Sequence, residues 1–348
     1  MIEIARKRYS TDYVRPSDYV RPSDWLPLPG IEASEQKFVG LHAVWPDSNF
    51  LALKAVGAYT VNWGDGLTEN FATGATAEHT YDYDDVDLAG TESSRGYKQA
   101  IVTVTPQAGQ TLTCLYLHVK HSQVGLQKYS SGFLDIAVNA PSMTTLTIGV
   151  QTPGINTQTI HMGILESVTL GANSVTNFNR IFYKCASLQA IPVLNTAAGT
   201  TFDCMFSFCA SLQTIPAFDT AAGTNFTSMF NGCTSLQTIP ALNTAACTNF
   251  SYMFYNCKSL QAIPALNTAA GTNFTSMFGG CTSLSNCDVT GTGYNISYNN
   301  CKLSAARLNE IYTNLATVTG KTITVTGNYG RTGDNPALAQ DKGWTVTG

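Results

Sequence analysis

The sequence predicts a multidomain chain: a β-sandwich, then an α/β repeat solenoid, then a C-terminal α/β cap. Three observations predict it. Cysteine returns at Cys185, Cys209, Cys233, Cys257 and Cys281, always 24 residues apart, within units that nearly copy one another. Ahead of them lie short segments of alternating apolar and polar residues separated by turn signals. Behind them the register breaks and a new pattern begins. Strict periods of about 20–50 residues mark solenoids or arrays, and evenly spaced short strands mark an antiparallel sandwich.

Composition narrows the function classes. At 348 residues the chain exceeds one ordinary domain. Charged residues make up 12%, against about a quarter in typical soluble domains, so Thr, Asn, Ser, Gln and Gly must cover a neutral polar surface. The formal net charge of -4 argues against nucleic-acid binding on a basic surface. No apolar run of about 18 residues occurs, so no transmembrane helix or membrane insertion is expected. The opening "MIEIARKRYSTDYVRPS" has positive charges without an apolar core after them, so no secretory signal is read there.

Residues 1–35 read as an extended docking arm. "DYVRPSDYVRPSDW" writes one six-residue unit twice and begins a third. Pro16 and Pro22 bar helix and push Arg15 and Arg21 into extended conformations. Tyr13, Tyr19 and Trp25 supply aromatic anchors with a polar edge, and Arg15 and Arg21 supply charge. A plain tail is the competing reading.

Residues 36–125 read as the sandwich. "NFLALKAVGAYTVNWGDG" gives strands closing on a turn at Gly64, Asp65 and Gly66, and "YKQAIVTVTP" and "TLTCLYLHVK" alternate likewise. The Trp63-Gly64-Asp65-Gly66 turn followed by His79-Thr80-Tyr81 and Ile101–Val104 resembles a PKD-type, immunoglobulin-like domain. That resemblance covers roughly residues 36–121 and implies a spacer or adhesive module.

Residues 126–301 read as the solenoid, strict from Asn177 onward. In one unit Phe226, Met229, Phe230 and Cys233 fall at i, i+3, i+4 and i+7, the spacing of a short helix face. "SLQTIP" then runs extended, with Leu236, Ile239 and Leu242 as apolar points. One unit cannot bury its apolar face alone, so stability must come from stacked neighbours. The pattern resembles the BspA-like leucine-rich repeats that also occur in phage virion proteins. Residues 302–348 leave the repeat. Leu303, Ala306, Leu308 and Ile311 suit an amphipathic helix, and "KTITVTG" and "GWTVTG" suit strands, which together would cap the solenoid. Such endings, and the Asp24–Pro29 start before a PKD-like module, resemble those of phage tail and fibre-like proteins.

The recurring cysteines read as small buried hydrophobes. Disulfides are the alternative, but in-register side chains point the same way and five in a row cannot all pair; zinc would need ligands converging from several directions. Cys114, His118 and His121 do not converge on a strand. "DYDDVD", with Asp82, Asp84, Asp85 and Asp87, lacks the spacing of a calcium loop and reads as solvated, with a calcium site as the alternative. Between Cys185 and Cys287 only Asp203, Asp219 and Lys258 are charged, too few for acid–base catalysis, so no enzyme and no cofactor is expected.

Variation between repeats points to a binding face. Tyr183, Phe208, Tyr252 and Tyr255 lie between the fixed apolar points and are expected outside, where aromatics amid Asn and Ser suit sugars or protein surfaces. A solvated face that drifts freely is the other reading. The resemblances imply a structural protein of a tailed phage particle, a fibre or decoration protein assembled in the host cytoplasm. It would join other virion proteins by its arm, with a homo-oligomer as one arrangement, and adsorb to host-surface glycan or protein. A bacterial cell-surface BspA-like adhesin is the alternative.

Overall fold

The computed structural model describes residues 19–47, 49–123, 132–149, 164–189, 191 and 194–348. The first strands are β1 (Lys37–Val44), β2 (Phe50–Val56), β3 (Tyr59–Asn62), β4 (Thr68–Phe71), β5 (Thr76–Thr80), β6 (Lys98–Pro106) and β7 (Cys114–Tyr116). They are followed by β8 (Phe133–Asn139), β9 (Thr145–Thr147) and β10 (Ser167–Leu170). Two sheets result, ordered β10-β8-β1-β6-β3-β4 and β5-β2-β7-β9. Both faces of β1 are buried. Phe38 and Val44 face the main core, while Leu41 and Ala43 face a smaller cluster closed by Trp25.

Among themselves the first seven strands pair antiparallel, and so do β1 and β8. β10 then adds parallel to β8, and β9 parallel to β7. Parallel stacking therefore starts on the edges of the two sheets themselves. The division expected near residue 126 falls inside continuous sheets, and one core runs from Phe38 to Trp344.

The repeats form a mostly-β solenoid of about eight turns. Asn177, Thr201, Asn225, Asn249 and Asn273 join successive turns through isolated parallel bridges. The helix expected in each unit does not form, and the α/β description of the solenoid is corrected accordingly. Phe226, Ser228, Phe230 and Gly232 donate their N–H groups to the carbonyls of Asn249, Ser251, Met253 and Tyr255 in the next turn. Met229, Asn231 and Cys233 donate to Phe226, Ser228 and Phe230 within the unit. A helix needs every donor for its own i−4 carbonyl, and here alternate donors serve the neighbour. Left-handed residues at Ser228 (φ 52) and Gly232 (φ 74) also end any helical run. Among the described residues the segments that follow give regular strands at β11 (Ala262–Asn267) and at β12 (Asn286–Thr290), whose Asn-Cys-Asp-Val-Thr replaces the Ile-Pro of the other units; the two pair in parallel.

Beyond the repeats come β13 (Ile296–Ser297), α1 (Ala305–Asn314), β14 (Lys321–Thr324), α2 (Ala337–Gln340) and β15 (Trp344–Thr347). Ser304 caps α1 by accepting from the Arg307 N–H, and Leu308, Ile311 and Tyr312 form its buried side. β13, β14 and β15 pair in parallel, Ile296 beside Ile323 and Ile323 beside Val346. Tyr298 stacks on Phe278 at 4.8 Å. The stacking rule thus outlasts the sequence repeat. Among the described residues no helix is long and apolar enough to cross a membrane.

Candidate binding face on the solenoid

Four internal ladders position the outer surface. Phe178, Phe202, Phe226, Phe250 and Phe274 stack ring on ring, and so do Phe182, Phe206, Phe230, Phe254 and Phe278. Thr196, Thr220, Thr244 and Thr268 are buried and donate their hydroxyls to carbonyls of the next turn. The cysteines form the fourth ladder. Cys209, Cys233, Cys257 and Cys281 donate their thiols at 3.0–3.1 Å to the carbonyls of Phe182, Phe206, Phe230 and Phe254 in the preceding turn. These carbonyls already accept a backbone N–H of their own unit, from Cys185, Cys209, Cys233 and Cys257. The thiol occupies the second lone pair of a buried oxygen. Burial pushes the Cys185 thiol up to about 12 and raises those of Cys209, Cys233, Cys257 and Cys281 as well, so none is a ready thiolate. All ten cysteines are free.

This frame forces two positions of every unit into left-handed backbone. The first column is Arg180, Cys204, Ser228, Tyr252 and Ser276, with φ from 50 to 56. The second is Lys184, Phe208, Gly232, Asn256 and Gly280, with φ from 59 to 77. Gly and Asn suit that conformation; a bulky aromatic is an outlier. Phe208 and Tyr252 are nevertheless 43% and 39% exposed. Tyr183 meets Phe208 edge to face at 5.9 Å, and Tyr252 meets Tyr255 likewise at 5.6 Å. Phe208 covers Gly232 of the next turn and Tyr255 covers Gly279, where an added Cβ would come within 2.8 Å of the ring. Arg180 and Lys184 lie 6.0 and 5.4 Å from the Tyr183 ring. The four expected residues therefore form two aromatic pairs, separated by the small residues Ser228 and Gly232.

The repeating turns match one family model. Residues 176–292 match the family described as "Mycoplasma protein of unknown function, DUF285". The match covers about one third of the 348 residues and coincides with the strict repeats. No curated protein and no solved structure matches the chain.

The described part of the arm lies on the chain's own first sheet. Trp25 is 4% exposed and donates Nε1–H to the Tyr97 hydroxyl at 2.7 Å. Arg21 pairs with Asp135 at 2.8 Å and donates to the carbonyls of Trp25 and Leu26. Tyr19 is half-buried beside them, and burial raises its phenol. Tyr13 and Arg15 lie outside the described residues. Beside the first strands His79 stacks on Trp63 at 4.8 Å, pairs with Asp65 at 2.6 Å and meets Tyr81 edge-on, while Tyr81 donates to the Trp63 carbonyl. Asp82 and Asp85 accept from the backbone of Asp84 and Asp87 and so hold their own loop. Among the described residues no three or more His, Cys, Asp or Glu converge as metal ligands.

Of the four residues expected outside, Phe208 and Tyr252 are exposed while Tyr183 and Tyr255 are half-buried; the left-handed columns and the thiol bonds lie beyond the sequence expectations. The recurrence of Gly, Asn and Gly at Gly232, Asn256 and Gly280 is the signal that could have shown the first. The second has no sequence signal apart from cysteine outcompeting alanine in every turn.

Proposed function

We propose that this chain is a structural, non-catalytic protein of a tailed phage particle. The solenoid is its exposed part and adsorbs to host-surface glycan or protein. The carrying observation is the pair of exposed aromatics, Phe208 and Tyr252, held in left-handed backbone. Strain of about 1–3 kcal/mol at each such site persists where the frame over-determines it, and it concentrates at functional surfaces. Rigid aromatic anchors amid small polar residues suit recognition with little ordering cost, and many copies on one particle would turn weak contacts into firm adhesion.

In this reading the first domain is a PKD-type spacer, supported by the Trp63, Asp65, His79 and Tyr81 contacts. The repeats are of the BspA-like leucine-rich kind, supported by their sequence pattern. Arg21 and Trp25 are engaged within the chain, so attachment to other virion proteins falls to Tyr13, Arg15 and their neighbours. The second reading, a bacterial cell-surface adhesin, is favoured by the family match, whose description names a cellular organism. Mass spectrometry of purified particles and adsorption assays with added protein test the choice. Presence in particles and inhibition of adsorption support the first reading. Absence from particles with recovery on bacterial surfaces supports the second.

A further inference from the structure

We infer that the junction between the last strict repeat and the C-terminal segment is a separate binding groove for an acidic saccharide. It deepens the adsorption reading by naming a ligand class, and it does not depend on virion membership.

The groove has a volume of about 510 Å³, within the usual range of about 300–1,000 Å³ for small-ligand sites. One wall is the turn containing Asn273 and Ser276; the other is formed by Tyr294, Asn295 and the strand bearing Lys321. None of the lining residues is acidic. Tyr294 is 43% exposed, with the Lys321 ammonium 4.6 Å from its ring centroid. An exposed ring offers a flat apolar face, and the ammonium beside it supplies a positive charge.

The amides sharpen the ligand class. The Asn273 side-chain oxygen accepts from the Thr275 N–H and hydroxyl, and that of Asn295 accepts from the Thr322 N–H. Their oxygens are therefore used within the fold, which leaves the two NH₂ groups to present donors. Two amide donors, one ammonium and no carboxylate make a donor-rich wall, so the fitting ligand is rich in acceptors and negatively charged. A ring with hydroxyls and a carboxylate, a hexuronate, satisfies the Tyr294 face and the donors together. Ser276 is one turn beyond Tyr252 in the same left-handed column, so the groove continues the aromatic face.

The test is calorimetric titration of the full chain with trigalacturonate, with maltotriose as the neutral comparison. Trigalacturonate is expected to bind at least about tenfold more tightly than maltotriose, with affinity falling as salt rises. Lys321→Gln, which keeps most of the side-chain stem, should weaken trigalacturonate at least about tenfold, and Tyr294→Ala should weaken it too. Lys302→Gln, at an exposed lysine that does not line the groove, should leave it unchanged. Circular dichroism melts check that each variant folds. Absent trigalacturonate binding, equal binding of maltotriose, or undiminished binding by folded Lys321→Gln would overturn the inference. Adsorption assays without uronate test the function proposed above independently.

Discussion

The Cys233 thiol lies 3.0 Å from the carbonyl oxygen of Phe206 in the preceding turn. The contact explains a column of cysteine better than smallness alone. A residue chosen only for volume could be alanine, but alanine would leave the second lone pair of a buried carbonyl empty. Cys233→Ala is expected to cost about 1–2 kcal/mol, the lost bond plus a small cavity. Cys233→Ser keeps a donor and should cost less than Ala, while Cys233→Val should cost about 1–3 kcal/mol through overpacking. Urea unfolding of the three variants checks the order. Alanine at least as stable as serine would show that the thiol acts as a hydrophobe only.

Cys247 stands where the other turns carry Gly199, Gly223 and Gly271. An added Cβ at Gly223 would come within 2.7 Å of Phe226 and 2.9 Å of Phe202, and at Gly271 within 2.4 Å of Phe274. The phenylalanine stack widens at the cysteine: Phe226 and Phe250 are 6.5 Å apart, against 5.3 Å for Phe202 and Phe226 and for Phe250 and Phe274. Gly223→Ala should therefore destabilise by about 1–3 kcal/mol. Cys247→Gly should let the two rings close, seen as changed aromatic NMR shifts. Its stability gain should be small, because glycine adds freedom to the unfolded chain. Unchanged ring shifts in Cys247→Gly would break the link between Cys247 and the gap.

The solenoid was legible because Phe226, Cys233 and Leu236 recur in every unit, and stacking is the common physical solution for such repeats. The helix was misread because Phe226, Met229, Phe230 and Cys233 have a spacing shared by a helix and by two successive turns. What separates them is the destination of the backbone donors, which depends on the neighbouring turn and not on local pattern. The parallel stacking of β13, β14 and β15 was hidden for a different reason. Ile296, Ile323 and Val346 meet by backbone register without any repeated word around them. The exposed aromatics were visible as variation, but the groove at Tyr294 and Lys321 joins segments far apart in sequence and had no local signal.

Phe208 and Tyr252 carry a stability cost that glycine or asparagine would not. Phe208→Gly removes a left-handed aromatic from a column that already holds Gly232 and Gly280. Relief of about 1–3 kcal/mol of strain is set against lost contact with Tyr183, so the variant should be as stable as the parent or up to about 1 kcal/mol more stable. Tyr252→Asn should behave likewise. If these residues form the adsorption surface, both variants melt no lower than the parent yet bind host cells more weakly. Lower melting with unchanged binding would make the aromatics structural.

Acid should weaken the N-terminal region through its histidines. Burial pushes His118 down to about 4 and lowers His121 in the same direction. In the unfolded chain a histidine takes its proton near pH 6.5, whereas folded His118 refuses it until about pH 4. The unfolded state then binds more protons across that window, so stability is full above about pH 6.5 and falls as the pH drops toward 4. Melting temperature should decline between pH 7 and 4.5, and His118→Gln should flatten the decline while the shared carboxylate contribution stays. Comparing the two slopes isolates the histidine, and identical slopes would show that His118 is not depressed in the folded chain.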